Sequence, residues 1–296
     1  MLCPRRCGVD RFVRTGVCGA NDTLRVGRAA LHWWEEPCLV GDRGSGAVFF
    51  AHCALGCVYC QNKRLAEGEG VEITQERLRE ILLELQNEQR AANINLVTAS
   101  HYAPSVAEVL RELRASGALH IPVVWNTSGY ESAQTLALLE GLVDIYLVDF
   151  KYSNPTTAQR LSRASDYVGV ALAAIEQMIE QTGAPRSSEE GYLERGVIVR
   201  HLVLPGYVDD SLAALDLLYP RIRGRALLSI MNQFTIVDET LDVRAYGLER
   251  AVSDEAYERV LDHADELGFE DYFWQEDGAA SESFVPAFDG TGVLVS

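Results

Sequence analysis

Cysteine runs out early in this chain. The seven cysteines lie at positions 3, 7, 18, 38, 53, 57 and 60, and none follows in the rest of the 296 residues. A chain of this length with no secretory signal is not a disulfide scaffold, and clustered cysteines in a cytosolic chain point to metal binding. Basic residues are also scarce: 26 Lys and Arg against 43 Asp and Glu leave a net charge of −17. A general nucleic-acid-binding surface needs clustered cations, so nucleic acid is not an expected partner. No apolar run approaches the ~20 residues of a membrane span. The opening Met1-Leu2-Cys3-Pro4-Arg5-Arg6-Cys7 has no apolar signal core. The expectation is a soluble, cytoplasmic protein with no membrane partner. No G-x-G-x-x-G follows the first predicted strand, since Gly44-Ser45-Gly46 lies before it, and there is no P-loop. A dinucleotide-binding fold therefore loses ground. No internal repeat or low-complexity segment is found.

What is present is a 48% hydrophobic, 23% charged composition, enough for a sizeable core in one large domain or two smaller ones. Residues 1–46 read as a loop-rich, Cys-containing extension without its own apolar core, tied down by a metal or by packing on the main body. From Ala47 the rhythm changes. Strands are predicted at Ala47–Phe50, Asn93–Thr98, Ile121–Trp125, Val143–Phe150, Val197–Leu204 and Ala226–Met231. Helices are predicted at Thr74–Ala92, Ser105–Ser116 with Ser105 and Glu108 at capping-box spacing, Ser132–Leu139, about 155–183 with a break near Ser165, Asp209–Leu218 and Glu255–Leu267. Six β–α units with buried strands imply a parallel sheet with helices outside, either open and doubly wound or a full or partial barrel. The tail, residues 271–296, is irregular and could cap one end of the barrel, leaving 47–270 as the barrel itself.

The first barrel strand runs into Cys53-Ala54-Leu55-Gly56-Cys57-Val58-Tyr59-Cys60, a C-x3-C-x2-C loop. A [4Fe–4S] cube is usually held by four thiolates, so three from one loop leave one iron open. In parallel β/α folds the functional residues gather at the carboxyl ends of strands. The other strand ends here deliver Thr98-Ala99-Ser100-His101, Asn126-Thr127-Ser128-Gly129-Tyr130, Asp149-Phe150-Lys151, Arg200-His201 with Leu204-Pro205-Gly206, and Asn232-Gln233. Every strand would thus bring polar groups to the same rim.

On these residues the chain resembles the radical S-adenosylmethionine superfamily. Asn126–Tyr130, Asp149–Lys151 and Arg200–Gly206 are similar to the D-T-N-G-[FY], D-[LMF]-K and P-G segments of glycyl-radical-enzyme activating enzymes, the pyruvate formate-lyase activating-enzyme family. The C-P-R-x-C-G-V-D-R opening, Gly16–Gly19 and Glu35–Cys38 resemble its activating-enzyme-like branch. The resemblance runs from Cys3 to about Asn232 and implies a partial (β/α)6 TIM-like barrel. It also implies a [4Fe–4S] cluster on Cys53, Cys57 and Cys60, and S-adenosylmethionine chelating the open iron. Reduction then yields a 5′-deoxyadenosyl radical that abstracts hydrogen, and a one-electron donor such as flavodoxin or ferredoxin is needed. Tyr59 would lie near the adenine. The superfamily's G-G-E segment is here Thr98-Ala99-Ser100-His101, with no glutamate for the methionine amino group; Thr98, Ser100 or backbone carbonyls are the substitutes. Asn126 stands where the activators often have Asp.

The remaining roles keep their alternatives. Asp149 and Lys151 alternate along one strand and share a face; they bind the cofactor or form a strand-end salt bridge. Asn126, Thr127 and Ser128 hydrogen-bond the cofactor or make a polar turn. Arg200 and His201 face opposite sides, and His201 is the one expected inside the barrel. His101 reads as a structural histidine. Cys3, Cys7, Cys18 and Cys38 form a possible second site, iron–sulfur or zinc, or are buried thiols. The substrate is a protein glycine, as in a glycyl radical enzyme, or an unrelated small molecule or peptide. The rival to an enzyme is a non-catalytic zinc or iron–sulfur protein.

Overall fold

A computed structural model describes residues 2–235, 243–275 and 285–294. In chain order the elements are β1 (Leu24–His32), α1 (Pro37–Val40), β2 (Ser45–Phe50), α2 (Lys63–Ala66), β3 (Val71–Ile73), α3 (Gln75–Asn87), β4 (Ile94–Val97), α4 (Ala103–Ala115), β5 (Val123–Thr127), α5 (Ala133–Leu139) and β6 (Ile145–Asp149). There follow α6 (Pro155–Ser162), α7 (Tyr167–Thr182), β7 (Arg186–Ser187), β8 (Leu193–Leu202), α8 (Val208–Ile222), β9 (Leu227–Met231), α9 (Asp254–Leu267) and β10 (Tyr272–Trp274). The main sheet runs β10-β9-β8-β6-β5-β4-β2-β1-β3. From β2 to β10 every neighbour is parallel, while β1 pairs antiparallel with both β2 and β3. Its two ends do not pair with each other, so the sheet is a partial TIM-like barrel of the expected α/β class.

The helices form where side-chain chemistry and apolar spacing agree. Thr74 caps α3 by accepting from the Arg77 amide at 3.1 Å, and Leu78, Ile81, Leu82 and Leu85 fall on its buried side. Ser132 caps α5 in the same way. The predicted break near Ser165 separates α6 from α7. The capping box expected at Ser105 does not form. α4 starts two residues earlier at Ala103, with Pro104 in its first turn, where a missing N–H costs nothing.

The extension departs most from expectation. Within it Leu24–His32 is a nine-residue strand at the sheet's antiparallel end. Its buried Leu24, Val26 and Ala29 join the main core. Beyond β1 the chain turns inward. In α1, Leu39 is fully buried with Val124, Ile145, Leu147, Leu193 and Ile198. Val124, Leu147 and Ile198 lie two residues before Asn126, Asp149 and Arg200, so α1 packs on the sheet face that carries those polar groups. Residues 37–40 thus plug the barrel floor. In the tail, residues 272–274 add β10 beside β9, and Gly290 and Thr291 exchange backbone hydrogen bonds with β1. Residues 276–284, part of the run read as a cap, lie outside the described residues.

Leu39→Ala should lower unfolding stability by about 2–5 kcal/mol, the range for truncating a fully buried leucine. Equilibrium denaturation checks this; a loss under about 1 kcal/mol would mean that the plug is not packed as described.

Candidate functional site

A cavity of about 210 Å3 opens at the carboxyl ends of the parallel strands. Cys53, Cys57 and Cys60 form one wall. Thr98, Asn126, Thr127, Ser128, Asp149, Lys151 and Arg200 form the opposite one, and Tyr59 also lines it.

The cysteine loop is fixed at several points. Its approach is bent at His52, whose φ of 72° lies in the left-handed region. The His52 ring is held between Gly19 and Gly68, where a Cβ would come within 2.9 Å and 2.5 Å of it. The Leu55 amide donates to Cys53 Sγ at 3.4 Å, and Ser162 Oγ donates to Cys57 Sγ at 3.1 Å. Behind Ser162, its hydroxyl meets Tyr152 OH at 2.5 Å, which meets Tyr59 OH at 2.8 Å. Tyr59 therefore ends a chain of hydroxyls that terminates on the Cys57 sulfur. Arg5 straps the loop from outside, donating to the Ala54 carbonyl at 2.8 Å, to Leu55 at 2.8 Å and to Ser162 at 2.7 Å. Burial pushes the Cys53 thiol up, and pushes Cys60 up to about 12. Burial is the main cause of both shifts and the neighbouring thiols add to it, while Lys151 pulls in the opposite direction.

On the facing wall Arg200 is the hub. It donates to Asp149 Oδ1, Glu35 Oε2 and Asn126 Oδ1, each at 2.9 Å. Glu35 Oε1 accepts from Asn95 at 2.9 Å and Asn126 at 3.1 Å, and Lys151 donates to Asp149 Oδ2 at 2.7 Å. Burial opposes ionisation of Asp149, but Arg200 and Lys151 outweigh it and hold the carboxyl below its ordinary value. For Arg200 burial again opposes charge, and Asp149, Glu35 and Glu36 more than offset it.

The Radical SAM superfamily profile matches residues 48–218, more than half of the chain. The chain belongs to the Radical SAM superfamily. A relative, the uncharacterized protein MJ0674 of Methanocaldococcus jannaschii, is 27% identical over 241 residues, covering 79% of this chain. The chain spans 65% of that relative's length, just under two thirds. Among solved structures, a radical SAM methyltransferase from Sphaerobacter thermophilus superposes with a TM-score of 0.55 at 15% identity, over 82% of this chain and 70% of that one. A domain of pyruvate-formate lyase-activating enzyme from Bacteroides vulgatus superposes at 0.42 and 10% identity, over 60% of this chain and 92% of the domain. The first likeness shows the shared fold; the second is too loose to bear on function.

Membership in the superfamily implies a [4Fe–4S] cluster and S-adenosylmethionine, and the residues fit both. Three half-buried thiols from one loop line a common cavity, and an N–H and an O–H donate to the sulfurs of Cys53 and Cys57. The opposite wall offers carboxylates, a lysine, an arginine and amides. Among the described residues no three His, Cys, Asp or Glu side chains are grouped to hold one metal ion. The radical SAM loop need not form such a group, since a cube spreads its thiolates over separate irons.

Two expected residues do not reach the radical SAM cavity. Ser100 turns away and donates to the buried carboxylate of Glu131, which also accepts from Thr127 at 2.7 Å and Trp125 at 3.1 Å. Of the adjoining pair on β8 it is Arg200 that lines the cavity, which corrects the choice of His201. His201 is buried on the other face, its Nδ1 2.7 Å from the Phe150 carbonyl. Residue parity alone could not choose between the two. The choice is made by Asn126 and Asp149, whose acceptors lie on Arg200's face. In the sequence Glu35 stands out only within the Glu35–Cys38 segment that carries the resemblance, and its place at the site was not anticipated. Thr98 lines the cavity with φ 60°, a left-handed conformation that costs a β-branched residue strain. Gly129, with φ 78°, leaves no room for a side chain, since a Cβ there would stand 2.5 Å from the Asp149 carbonyl oxygen. His101 is structural as read, its Nε2 2.8 Å from the Ala51 carbonyl.

Two outcomes follow. Arg200→Ala leaves Glu35 and Asp149 without their cation and should cost about 3–5 kcal/mol, measured by denaturation. A loss under about 1 kcal/mol would show that the hub is not a buried ion-pair network. Burial also depresses His101 from 6.5 to about 3. Below pH 6.5 the unfolded chain takes up a proton that the folded chain refuses, so stability falls with falling pH, by ~1.4 kcal/mol per unit. His101→Gln should flatten that acid slope; an unchanged slope would place the titration elsewhere.

Proposed function

We propose that this chain cleaves S-adenosylmethionine reductively and uses the resulting radical to abstract hydrogen from its substrate, in the manner of glycyl-radical-enzyme activators. The observation that carries the reading is the opposition, across one cavity, of the three-thiol loop and the Arg200 network. When bound, the cluster and S-adenosylmethionine supply the electron transfer and the carbon-centred radical. The protein's residues do the rest. Cys53, Cys57 and Cys60 hold three irons. Lys151 presents a cation for the methionine carboxylate, and Glu35 and Asp149 present carboxylates for the amino group. Glu35 thereby replaces the glutamate missing from the Thr98–His101 segment. Asn126 and Ser128 offer hydrogen bonds to the ribose, the Thr127 hydroxyl being taken up by Glu131, and Tyr59 shields the adenine side.

The target is a glycine Cα–H of a protein partner, a glycyl radical enzyme. An unrelated peptide or small molecule remains the second reading, favoured by Asn126 and the altered Thr98–His101 segment. A flavodoxin or ferredoxin in the cytoplasm donates the electron. Among the described residues no helix is long and apolar enough to cross a membrane.

Anaerobically reconstituted protein, reduced in the presence of S-adenosylmethionine, should release 5′-deoxyadenosine, and Cys57→Ala should abolish it. No product from fully loaded protein would leave a non-catalytic metal protein as the reading.

A further inference from the structure

The four extension cysteines do not form one set. Cys38 sits in the barrel floor beside Leu39 and Leu227. The other three converge outside the barrel. A point built as a Cβ on Gly16 would lie 3.3 Å from Cys18 Sγ and 3.5 Å from Cys7 Sγ, so two turns of chain bring these sulfurs together. Cys3 lies within electrostatic reach of both Cys7 and Cys18, and of Glu131.

Two further observations point to a ligand. Cys3 and Glu131 line a second cavity of about 480 Å3, between the extension and helices α5 and α7. Glu131 is 2% exposed, and its Oε2 has no hydrogen-bond partner among the described residues. In addition, none of the apolar side chains of residues 2–19 is buried; Ala20 is the first. Phe12, Val13 and Val17 are exposed at 84%, 76% and 69%. Arg5 and Arg11 pin the segment to the barrel through backbone carbonyls, and a thiolate-bound metal would add folding free energy where no core does.

We propose that Cys3, Cys7 and Cys18 hold a second, thiophilic metal centre on the outer flank of the barrel, with Glu131 at its edge and without Cys38. Among the described residues no three His, Cys, Asp or Glu side chains are grouped around one ion, so the centre is an iron–sulfur cluster, whose thiolates sit on separate irons. The centre is separate from the Cys53–Cys60 loop and does not depend on the proposed radical chemistry.

Cys7 is exposed, so a free thiol there would react at once. The test treats the intact, anaerobically purified chain with iodoacetamide before and after a chelator, with labelled sites mapped by mass spectrometry. The expected result is that Cys7 stays unlabelled until the chelator acts, and then labels together with Cys3 and Cys18. Iron and sulfide in the released material confirm the cluster; zinc in their place contradicts it. Immediate labelling of Cys7 in the untreated chain overturns the proposal. In a Cys57→Ala background, Cys18→Ala should remove the remaining metal and Cys38→Ala should keep it. Equal metal in all three chains also overturns it.

Discussion

The site depends on one buried cation. Arg200 spans Asp149 on β6, Asn126 on β5 and Glu35 of the extension, all at 2.9 Å. An arginine out of water must be paired, and its planar fork suits several acceptors at once. The pairing does more than neutralise charge. It joins two neighbouring strands to a segment that reaches them from outside the parallel sheet. Leu39, four residues past Glu35, fills the floor below. The extension is therefore part of the barrel interior, anchored by a charge above and by apolar packing beneath.

Across the cavity the thiol loop has the opposite character. It has no ion pair of its own and is held by hydrogen bonds to its carbonyls and sulfurs. Arg5 grips Ala54 and Leu55 from one side. Ser162 reaches Cys57 from the other, backed by Tyr152 and Tyr59. Hydrogen bonds to cluster sulfurs and exclusion of water are two of the levers that set an iron–sulfur potential. The three thiols thus come from one short loop, while its support comes from the extension, α6 and the strand β6 exit.

Much of this was legible because local patterns and the global fold agree. The strands β2, β4, β5, β6, β8 and β9, the α6–α7 break and the cysteine loop each carry a periodicity or spacing that needs no distant partner, whereas the short β3 and β7 carry none. The exceptions share a cause. β1 was hidden because its pairing partners, β2 and β3, lie after it in the chain, and its apolar residues are interleaved with Arg25, Gly27 and Arg28. The place of Glu35 was invisible because a surface carboxylate and a buried one look alike until Arg200 is placed opposite. His201 was preferred over Arg200 although parity allows either face. Ser105 offered a capping box that lost to a helix start at Ala103. Cys38 counted with three other cysteines in sequence, and packing took it to the barrel floor.

The central claim is that the thiol loop leaves one iron open toward the polar wall of Arg200, Asp149, Lys151 and Glu35. Electron paramagnetic resonance of the reduced, reconstituted protein tests it most directly. The account predicts that adding S-adenosylmethionine changes the spectrum of the loop cluster, because the open iron gains ligands. A spectrum that stays the same at saturating S-adenosylmethionine would contradict it.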